Sequence, residues 1–216
     1  MYDPIMAVIP FYGSEQPDLF EIERHAMDRE GLVIAALDTR LPVAGRVLDV
    51  GAGDGYTAER LRTQARGVVP LEPSRAMIRT DRHLPWIQGD AELLPFVDGS
   101  FDAAYATWAY FFSRDWDPSP GILELHRVVR SGGPLLIVEN LGPDEFSGLA
   151  PREINADPGY WKQHGFECHP IDTHFEFTTI TEARSLLEFF FGDQGAQGAA
   201  QRLTFRVGLF CGHSSG

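Results

Sequence analysis

The segment Val47-Leu48-Asp49-Val50-Gly51-Ala52-Gly53-Asp54-Gly55 constrains the fold of this chain more than any other. Its short run of branched apolar residues indicates a buried β-strand, and the glycines that follow indicate a tight turn that opens a helix. Glycines let a backbone approach a ligand closely, and the first turn of a helix offers free N–H groups to an anion. The segment therefore predicts a strand, a turn and a helix beside a nucleotide-like ligand.

The spacing and the charge of this turn narrow the class of ligand. The glycines read G-x-G-x-G rather than the G-x-G-x-x-G pattern of dinucleotide-binding turns. Asp49, directly before the turn, would repel a pyrophosphate and attract a ligand ammonium group. On this segment alone, an ordinary strand–turn–helix unit without a ligand stays open as the alternative.

Short apolar runs alternate with helix-like segments through the first two thirds of the chain. Strands are predicted at residues 46–50, 67–71, 86–88, 101–107 and 135–138. Helices are predicted at residues 56–65, after Ser74 as an N-cap, and at 118–129. This alternation is typical of βαβ units, so the sequence predicts an α/β fold with a parallel sheet.

The two segments without a clear βαβ pattern are residues 1–40 and 141–173. Asp18-x-x-Glu21 resembles a helix capping box, so one or two helices are expected in residues 1–40. Residues 141–173 show no regular period and are predicted to form a cap or substrate segment. We expect residues 1–216 to form a single domain.

The end of the chain departs from the βαβ pattern. Thr179-x-x-Glu182 is a second capping box, which is expected to open a helix that ends at Gly192. Residues 203–209 alternate apolar and polar side chains. Such alternation favours a strand with one open face, such as a strand at a sheet edge.

Two further positions carry groups suited to a nucleoside. Glu72 ends the second predicted strand, where a carboxylate can accept hydrogen bonds from ribose hydroxyls. Asp90 and Ala91 follow the third, where the carboxylate can accept from an adenine amino group and the Ala91 N–H can donate to a ring nitrogen. Taken singly, a solvated strand end and a polar loop are the alternatives.

In their order along the chain, these pieces resemble the class I S-adenosylmethionine-dependent methyltransferases, in particular the bacterial type 11 branch similar to enzymes of ubiquinone and menaquinone biosynthesis. The matching pieces are residues 47–55, Glu72-Pro73-Ser74 with Met77, Asp90-Ala91-Glu92-x-x-Pro95-Phe96, Ser100-Phe101-Asp102, and Leu125-x-Arg127-Val128-Val129-Arg130-x-Gly132-Gly133. The resemblance implies a Rossmann-like three-layer sandwich with a seven-stranded, mostly parallel sheet. Its strand order would be 3-2-1-4-5-7-6, with strand 7 antiparallel.

The same resemblance implies S-adenosylmethionine as the methyl donor and a set of residues around it. The methionine part of the donor would be surrounded by Asp49, Gly51, Ala52 and Gly53, and the ribose would bind to Glu72. The adenine would contact Pro73, Ser74, Met77, Asp90 and Ala91. Thr107 and Trp108 would lie near the amino group and the methyl group of the donor.

The acceptor half of the site carries fewer signals. Many relatives have a histidine after the fourth strand, where this chain reads Trp108-Ala109-Tyr110-Phe111-Phe112. No residue is therefore assigned as a general base. The candidates are Tyr12, Tyr110, His164, His169 and His174. Aromatic residues near the cap and after the fourth strand, among them Tyr160 and Trp161, supply either an acceptor pocket or core.

Charge and composition restrict the partners. The formal net charge of −13 disfavours nucleic acids and anionic membranes. DNA methyltransferases that act on amino groups carry an Asn/Asp-Pro-Pro-aromatic motif after the fourth strand. This chain has Ala106-Thr107-Trp108-Ala109 at that place instead. No signal peptide or membrane-length apolar run is seen, so we expect a cytoplasmic monomer or homodimer. Cys168 and Cys211 form no CxxC motif, and no metal site is expected.

These patterns predict methyl transfer from S-adenosylmethionine to a small-molecule acceptor, at an O, N or C atom. The sulfonium activates the methyl group, so the protein must mainly align the donor with the acceptor and exclude water. Two alternatives stay open. One is a non-catalytic domain that binds S-adenosylmethionine or S-adenosylhomocysteine. The other is a nicotinamide-dependent oxidoreductase, which the glycine spacing and Asp49 disfavour.

Overall fold

A computed structural model describes residues 15–109 and 117–216. Its strands are β1 (Gly45–Val50), β2 (Arg66–Glu72), β3 (Ile87–Gln88), β4 (Ala103–Thr107), β5 (Pro134–Asn140), β6 (Glu167–Glu176) and β7 (Arg202–His213). They form one seven-stranded sheet in the order β3-β2-β1-β4-β5-β7-β6. Strand β7 is antiparallel to β5 and β6, and the other pairs are parallel. The predicted α/β fold, strand order and antiparallel strand are confirmed.

Helices pack on both faces of this sheet. They are α1 (Pro17–Ala26), α2 (Leu32–Asp38), α3 (Tyr56–Leu61), α4 (Ser119–Val128), α5 (Pro158–Gln163) and α6 (Ile180–Gln197). Helices α1, α2, α3 and α6 contribute to the core on one face, whereas α4 and α5 contribute to the core on the other. None of the helices within residues 15–109 and 117–216 is long and apolar enough to cross a membrane.

The central strands have apolar side chains on both faces because helices cover both. Val47 and Leu48 are adjacent in β1, point to opposite faces and are both fully buried. Successive side chains of a strand alternate between faces, so a doubly covered strand reads as a continuous apolar run. This explains why the first strands were recognisable from the sequence.

The helix predicted after Ser74 is wrong. Residues 75–77 form a turn within an otherwise irregular segment, and the Met77 N–H donates to the Ser74 carbonyl oxygen at 3.0 Å. Only a short 3₁₀ helix, Thr80–Arg82, follows. Met77 and Ile78 are the last strongly apolar residues before Leu84, which leaves too little apolar surface to stabilise a packed helix.

The N-terminal helices are present in the described part of residues 1–40, but α1 does not begin as expected. Gln16 is the N-cap residue and makes no side-chain cap, and Pro17 opens the helix. A proline there has its φ preset and lacks an N–H that would need a partner. Asp18 lies in the first turn, so the capping box predicted there is wrong.

The capping box predicted at Thr179 is confirmed. The Thr179 hydroxyl accepts the Glu182 N–H at 3.1 Å, and the Glu182 carboxylate accepts the Thr179 N–H at 3.3 Å. The helix continues past the predicted end, but Gly192 interrupts it with φ 62° and ψ −146°. The glycine therefore marks a kink rather than a terminus.

The strand predicted at residues 203–209 is internal to the sheet, not at its edge. Strand β7 lies between β5 and β6, and the alternation arises because Leu203 and Phe205 are buried while Arg202 and Thr204 are exposed. The edge strand is β6, so residues 167–173 belong to the sheet rather than to the predicted cap. The mixed burial of β6 explains why its sequence showed no period.

Candidate active site

A cavity of about 1200 Å³ lies at the carboxyl ends of β1, β2, β4 and β5. In open parallel α/β sheets, ligands bind outside the carboxyl ends of the strands. Most of the predicted donor residues line this cavity, namely Gly51, Ala52, Gly53, Glu72, Pro73, Asp90, Ala91, Thr107 and Trp108. Asp49, Ser74 and Met77 do not line it. Ser74 and Met77 belong to the segment that is irregular instead of helical.

The glycine turn folds around the carboxylate of Glu72. The Gly53 N–H donates to Glu72 Oε2 at 2.8 Å, and the Ser74 N–H donates to Oε1 at 2.9 Å. The Gly51 N–H donates to the Leu71 carbonyl oxygen at 2.9 Å. Gly53 has a φ of 55°, in the left-handed region that favours glycine. These bonds fix the turn to the end of β2.

Glu72 retains hydrogen-bonding capacity toward the cavity. The residue is 5% exposed. Burial raises its pKa, and the hydrogen bonds from the Ser74 and Gly53 N–H groups oppose that rise. A carboxylate offers about four acceptor positions, of which two are used here. The remaining positions suit the paired hydroxyls of a ribose.

Asp49 lies behind the glycine turn and is fully buried. The Tyr105 hydroxyl donates to Asp49 Oδ2 at 2.9 Å. Among the described residues, Asp49 Oδ1 has no hydrogen-bond partner. Burial raises the pKa of Asp49 to about 7, the Tyr105 hydrogen bond opposes this, and the charge of Glu72 adds to it. An unpartnered carboxylate oxygen two residues before the cavity wall at Gly51 suits a ligand cation.

Asp54 connects the glycine turn to the N-terminal helix, a connection that the sequence analysis missed. Its Oδ2 accepts from Arg24 Nη1 at 2.6 Å and from Arg82 Nη2 at 2.9 Å. Its Oδ1 accepts the Tyr56 N–H at 3.1 Å. Because Arg24 belongs to α1 and also lines the cavity, this ion pair holds the helix beside the glycine turn.

Aromatic rings line the half of the cavity beyond Trp108. They are Trp108, Phe146, Phe175, Phe190, Phe191 and Phe205. The Phe146 and Phe175 rings stack with centroids 4.4 Å apart. Trp108 stacks on Phe205 at 6.2 Å, and its indole N–H donates to Asn140 Oδ1 at 3.1 Å. Of the aromatic residues predicted for an acceptor pocket, Trp108 is therefore confirmed as part of the cavity.

The histidines predicted as candidate bases lie away from this cavity. His164 ends α5 and lines a separate cavity of about 520 Å³ that also contains Asp98 and His126. His169 and His174 lie on β6 and do not line the large cavity. All three were expected in or near the predicted cap, and β6 places His169 and His174 in the sheet instead.

The remaining acceptor-side candidates divide into two groups. Tyr12 and Tyr110 lie outside the described residues, as do Phe111 and Phe112. Tyr160 and Trp161 do not line the large cavity, and Trp161 is a core residue stacked on Phe210 at 5.2 Å.

Within residues 15–109 and 117–216, no three His, Cys, Asp or Glu side chains are grouped so as to hold a metal ion.

Glu139 lines the cavity and was missed in the sequence because the predicted strand stopped at Val138. The residue is 3% exposed, and its Oε1 has no hydrogen-bond partner among the described residues. Burial raises the pKa of Glu139 well above its ordinary value. Glu72 was predicted as a site residue because it is a carboxylate at the carboxyl end of a parallel strand. Glu139 has the same kind of position on β5 and could have been predicted in the same way.

Comparisons with known proteins agree with this geometry. Residues 48–137 match the family model described as a methyltransferase domain. A demethylmenaquinone methyltransferase from Renibacterium salmoninarum is 36% identical over 98 residues, which cover 44% of this chain and 40% of that protein. A malonyl-[acyl-carrier protein] O-methyltransferase from Erwinia pyrifoliae is 32% identical over 148 residues, which cover 66% and 51%. The chain spans about half the length of the curated relatives it matches.

Solved structures share the fold. The YcgJ protein from Bacillus subtilis matches with a TM-score of 0.61 and 19% identity, over 86% of this chain and 97% of that one. The strand order, the glycine turn and the family match all agree with the resemblance read from the motifs. Over residues 48–137 the chain is similar to methyltransferase domains. The demethylmenaquinone methyltransferase among its relatives agrees with the predicted branch.

Proposed function

We propose that this protein transfers a methyl group from S-adenosylmethionine to a small-molecule acceptor. The observation that carries the proposal is one cavity that joins the glycine turn and Glu72 to an aromatic pocket at Trp108. The first half offers backbone and carboxylate groups, and the second half offers apolar rings. Methyl transfer requires the donor and the acceptor side by side, and a single cavity with both kinds of surface can hold them so.

The proposed placement of the donor follows the groups that are free to bind it. Glu72 binds the ribose hydroxyls, and Asp49 Oδ1 attracts the ammonium of the methionine part. Asp90 and Ala91 contact the adenine edge. The Asp90 carboxylate accepts the Glu92 N–H at 2.9 Å, which orders this loop. Thr107 and Trp108 lie toward the transferred methyl.

The proposed acceptor is small and at least partly apolar, because six aromatic side chains wall its half of the cavity. The acceptors named for two relatives, a demethylmenaquinone and a malonyl group on a carrier protein, differ in chemistry. The comparison therefore leaves the acceptor itself open. A cytoplasmic location and a monomeric or homodimeric state stay predictions.

Isothermal titration with S-adenosylmethionine tests the donor site. We expect saturable binding to the wild-type protein and at least roughly tenfold weaker binding to Asp49→Ala and to Glu72→Ala, a loss of about 1.4 kcal/mol or more. Glu188→Ala, an exposed change on α6 away from the cavity, is the matched control and should bind as the wild type does. Circular dichroism would show that each variant is folded.

Two results would contradict the proposal. One is an absence of binding to the wild-type protein at millimolar donor. The other is unchanged affinity in both Asp49→Ala and Glu72→Ala, which would show that the donor binds elsewhere. Methyl transfer from labelled donor in a metabolite screen would exclude the non-catalytic alternative. Saturable binding of NAD(H) would favour the oxidoreductase alternative, and an absence of binding would exclude it.

A further inference from the structure

Glu139 lies near the carboxyl end of β5 and lines the same cavity as Glu72 and Trp108. Strands β4 and β5 are paired so that Thr107 faces Val138, and the Trp108 N–H donates to the Val138 carbonyl oxygen at 2.9 Å. Glu139 is the next residue along β5, and its neighbour Asn140 holds the Trp108 indole. Glu139 therefore lines the cavity between two residues of β5 that contact the segment at Thr107 and Trp108, which is proposed to lie nearest the transferred methyl.

Nothing in the described part of the chain explains Glu139 as a structural residue. Buried carboxylates normally pair with a cation or accept several hydrogen bonds, because burial of an unpaired charge is costly. Burial raises the pKa of Glu139, and no charge within residues 15–109 and 117–216 offsets the rise. An apolar or amide side chain in its place would stabilise the fold better. A group kept at such a cost at the wall of a ligand cavity points to a role in the reaction.

Other titratable and charged groups line the same cavity, on different elements. They are Glu23 and Arg24 on α1; Asp28, Arg29 and Glu30 between α1 and α2; Asp54 in the glycine turn; Arg60 on α3; Glu72 and Asp90 after β2 and β3; and Arg152 and Glu153 after β5. Several are already engaged, as Asp54 is with Arg24 and Arg82. Among the cavity-lining groups, Glu139 combines full burial with an unpartnered oxygen.

We propose that Glu139 is the catalytic base, which takes the proton from an O–H or N–H group of the acceptor; this inference rests on the proposed function. The acceptor's lone pair forms a bond to the methyl carbon while the carbon–sulfur bond breaks and its electron pair stays on sulfur. The proton passes to Glu139. The products are the methylated acceptor, S-adenosylhomocysteine and a neutral Glu139 carboxyl group, which returns its proton to solvent.

The donor itself supplies the charge state that this role needs. In the cavity without ligands, burial favours the neutral acid form of Glu139. A sulfonium beside it is a positive charge in a water-poor space and favours the carboxylate. Binding of S-adenosylmethionine should therefore release a proton from Glu139. S-adenosylhomocysteine has a neutral sulfur and should leave that proton in place.

Comparison of the two ligands isolates the effect of Glu139. Both carry the same ammonium, ribose and adenine and differ in the charge on sulfur, so the share of the proton difference that depends on Glu139 is the share lost in Glu139→Gln. Titration calorimetry at pH 7, in buffers of different ionisation enthalpy, measures the protons released on binding. We expect the wild-type protein to release more protons with S-adenosylmethionine than with S-adenosylhomocysteine. In Glu139→Gln this difference should vanish, with affinity for S-adenosylhomocysteine unchanged within about threefold, roughly 0.65 kcal/mol.

Two further variants keep the test decisive. Glu139→Asp retains the carboxyl group and should retain a difference between the ligands, and Glu188→Gln, outside the cavity, should behave as the wild type does. The inference would be overturned if Glu139→Gln showed the same difference in proton release between the two ligands as the wild type. It would also be overturned if the wild type released equal numbers of protons with both ligands. Failure of both ligands to bind the wild-type protein would instead contradict the proposed function.

Discussion

Asp49 and Glu139 are buried acids, and both make the stability of the fold depend on pH in the same direction. Folding raises the pKa of each, so the folded protein keeps a proton that the unfolded chain has lost. The free energy of unfolding therefore falls as the pH rises from the ordinary pKa to the folded pKa. For Asp49 this interval runs from 3.8 to about 7.

The change Asp49→Asn should remove this contribution while keeping the size of the side chain. Relative to the wild type, the variant should gain stability as the pH rises from about 4 to about 8, by up to about 4 kcal/mol. Urea unfolding at several pH values measures the difference. Asp172→Asn, an exposed change on β6, is the control. Parallel stability curves for Asp49→Asn and the wild type would show that Asp49 does not titrate in this range.

Tyr105→Phe tests the one hydrogen bond found for Asp49. The change removes the hydroxyl that lies 2.9 Å from Oδ2, so the pKa of Asp49 should rise further. We expect a loss of about 1–3 kcal/mol at pH 8, where the carboxylate form is present, and a smaller loss at pH 5. Tyr56→Phe, whose ring lies under Arg60, is the control in the same unfolding assay. Equal losses at both pH values would contradict this explanation.

Helix and strand features that depend on residues close together in the sequence could be predicted. Both partners of the Thr179 capping box lie within four residues of each other, so the sequence shows the box directly. A sixth strand was implied by the resemblance, but β6 was not located in the sequence because its burial is mixed along most of its length. Residues of mixed exposure at a sheet edge carry no period that a sequence pattern can reveal.

Loss of the capping box should destabilise α6 measurably. Thr179→Ala removes the acceptor for the Glu182 N–H, and we expect the free energy of unfolding to fall by about 1 kcal/mol. Thr178→Ala is the matched control, since Thr178 is exposed and takes part in the box only through its backbone N–H. Denaturant unfolding compares the two variants. An equal effect of both substitutions would show that the side-chain cap contributes nothing.

At the scale of the whole molecule, most residues predicted for the donor line one cavity, whereas most of the aromatic wall of that cavity was not predicted. The donor half follows local motifs at the ends of consecutive strands. The aromatic wall is assembled from distant parts of the chain: Phe146 lies after β5, Phe175 on β6, Phe190 and Phe191 on α6, and Phe205 on β7. Only the antiparallel return of β7 brings them together.

The net charge of −13 gives a prediction for the molecule as a whole. Release of counterions by basic residues drives most binding to nucleic acids, and this chain has an excess of acidic residues. We expect no binding of a short duplex DNA at physiological salt, measured by fluorescence anisotropy up to micromolar protein. A saturable rise in anisotropy that weakens with added salt would contradict the prediction.

The free edge of β6 has a consequence for association between copies of the chain. An unpaired edge strand is a template on which another strand can add and extend the sheet. Here the Asp28 N–H donates to the His174 carbonyl oxygen at 3.1 Å, and Met27 forms a bridge with Phe175, so the connection after α1 covers one end. Toward the other end, Pro170 has no N–H to donate to an added strand, and Asp172 is an exposed acid that pairs with Arg206. These features hinder growth of the sheet at β6 by addition of a second copy, while the cavity at the carboxyl ends of the strands stays clear of that edge.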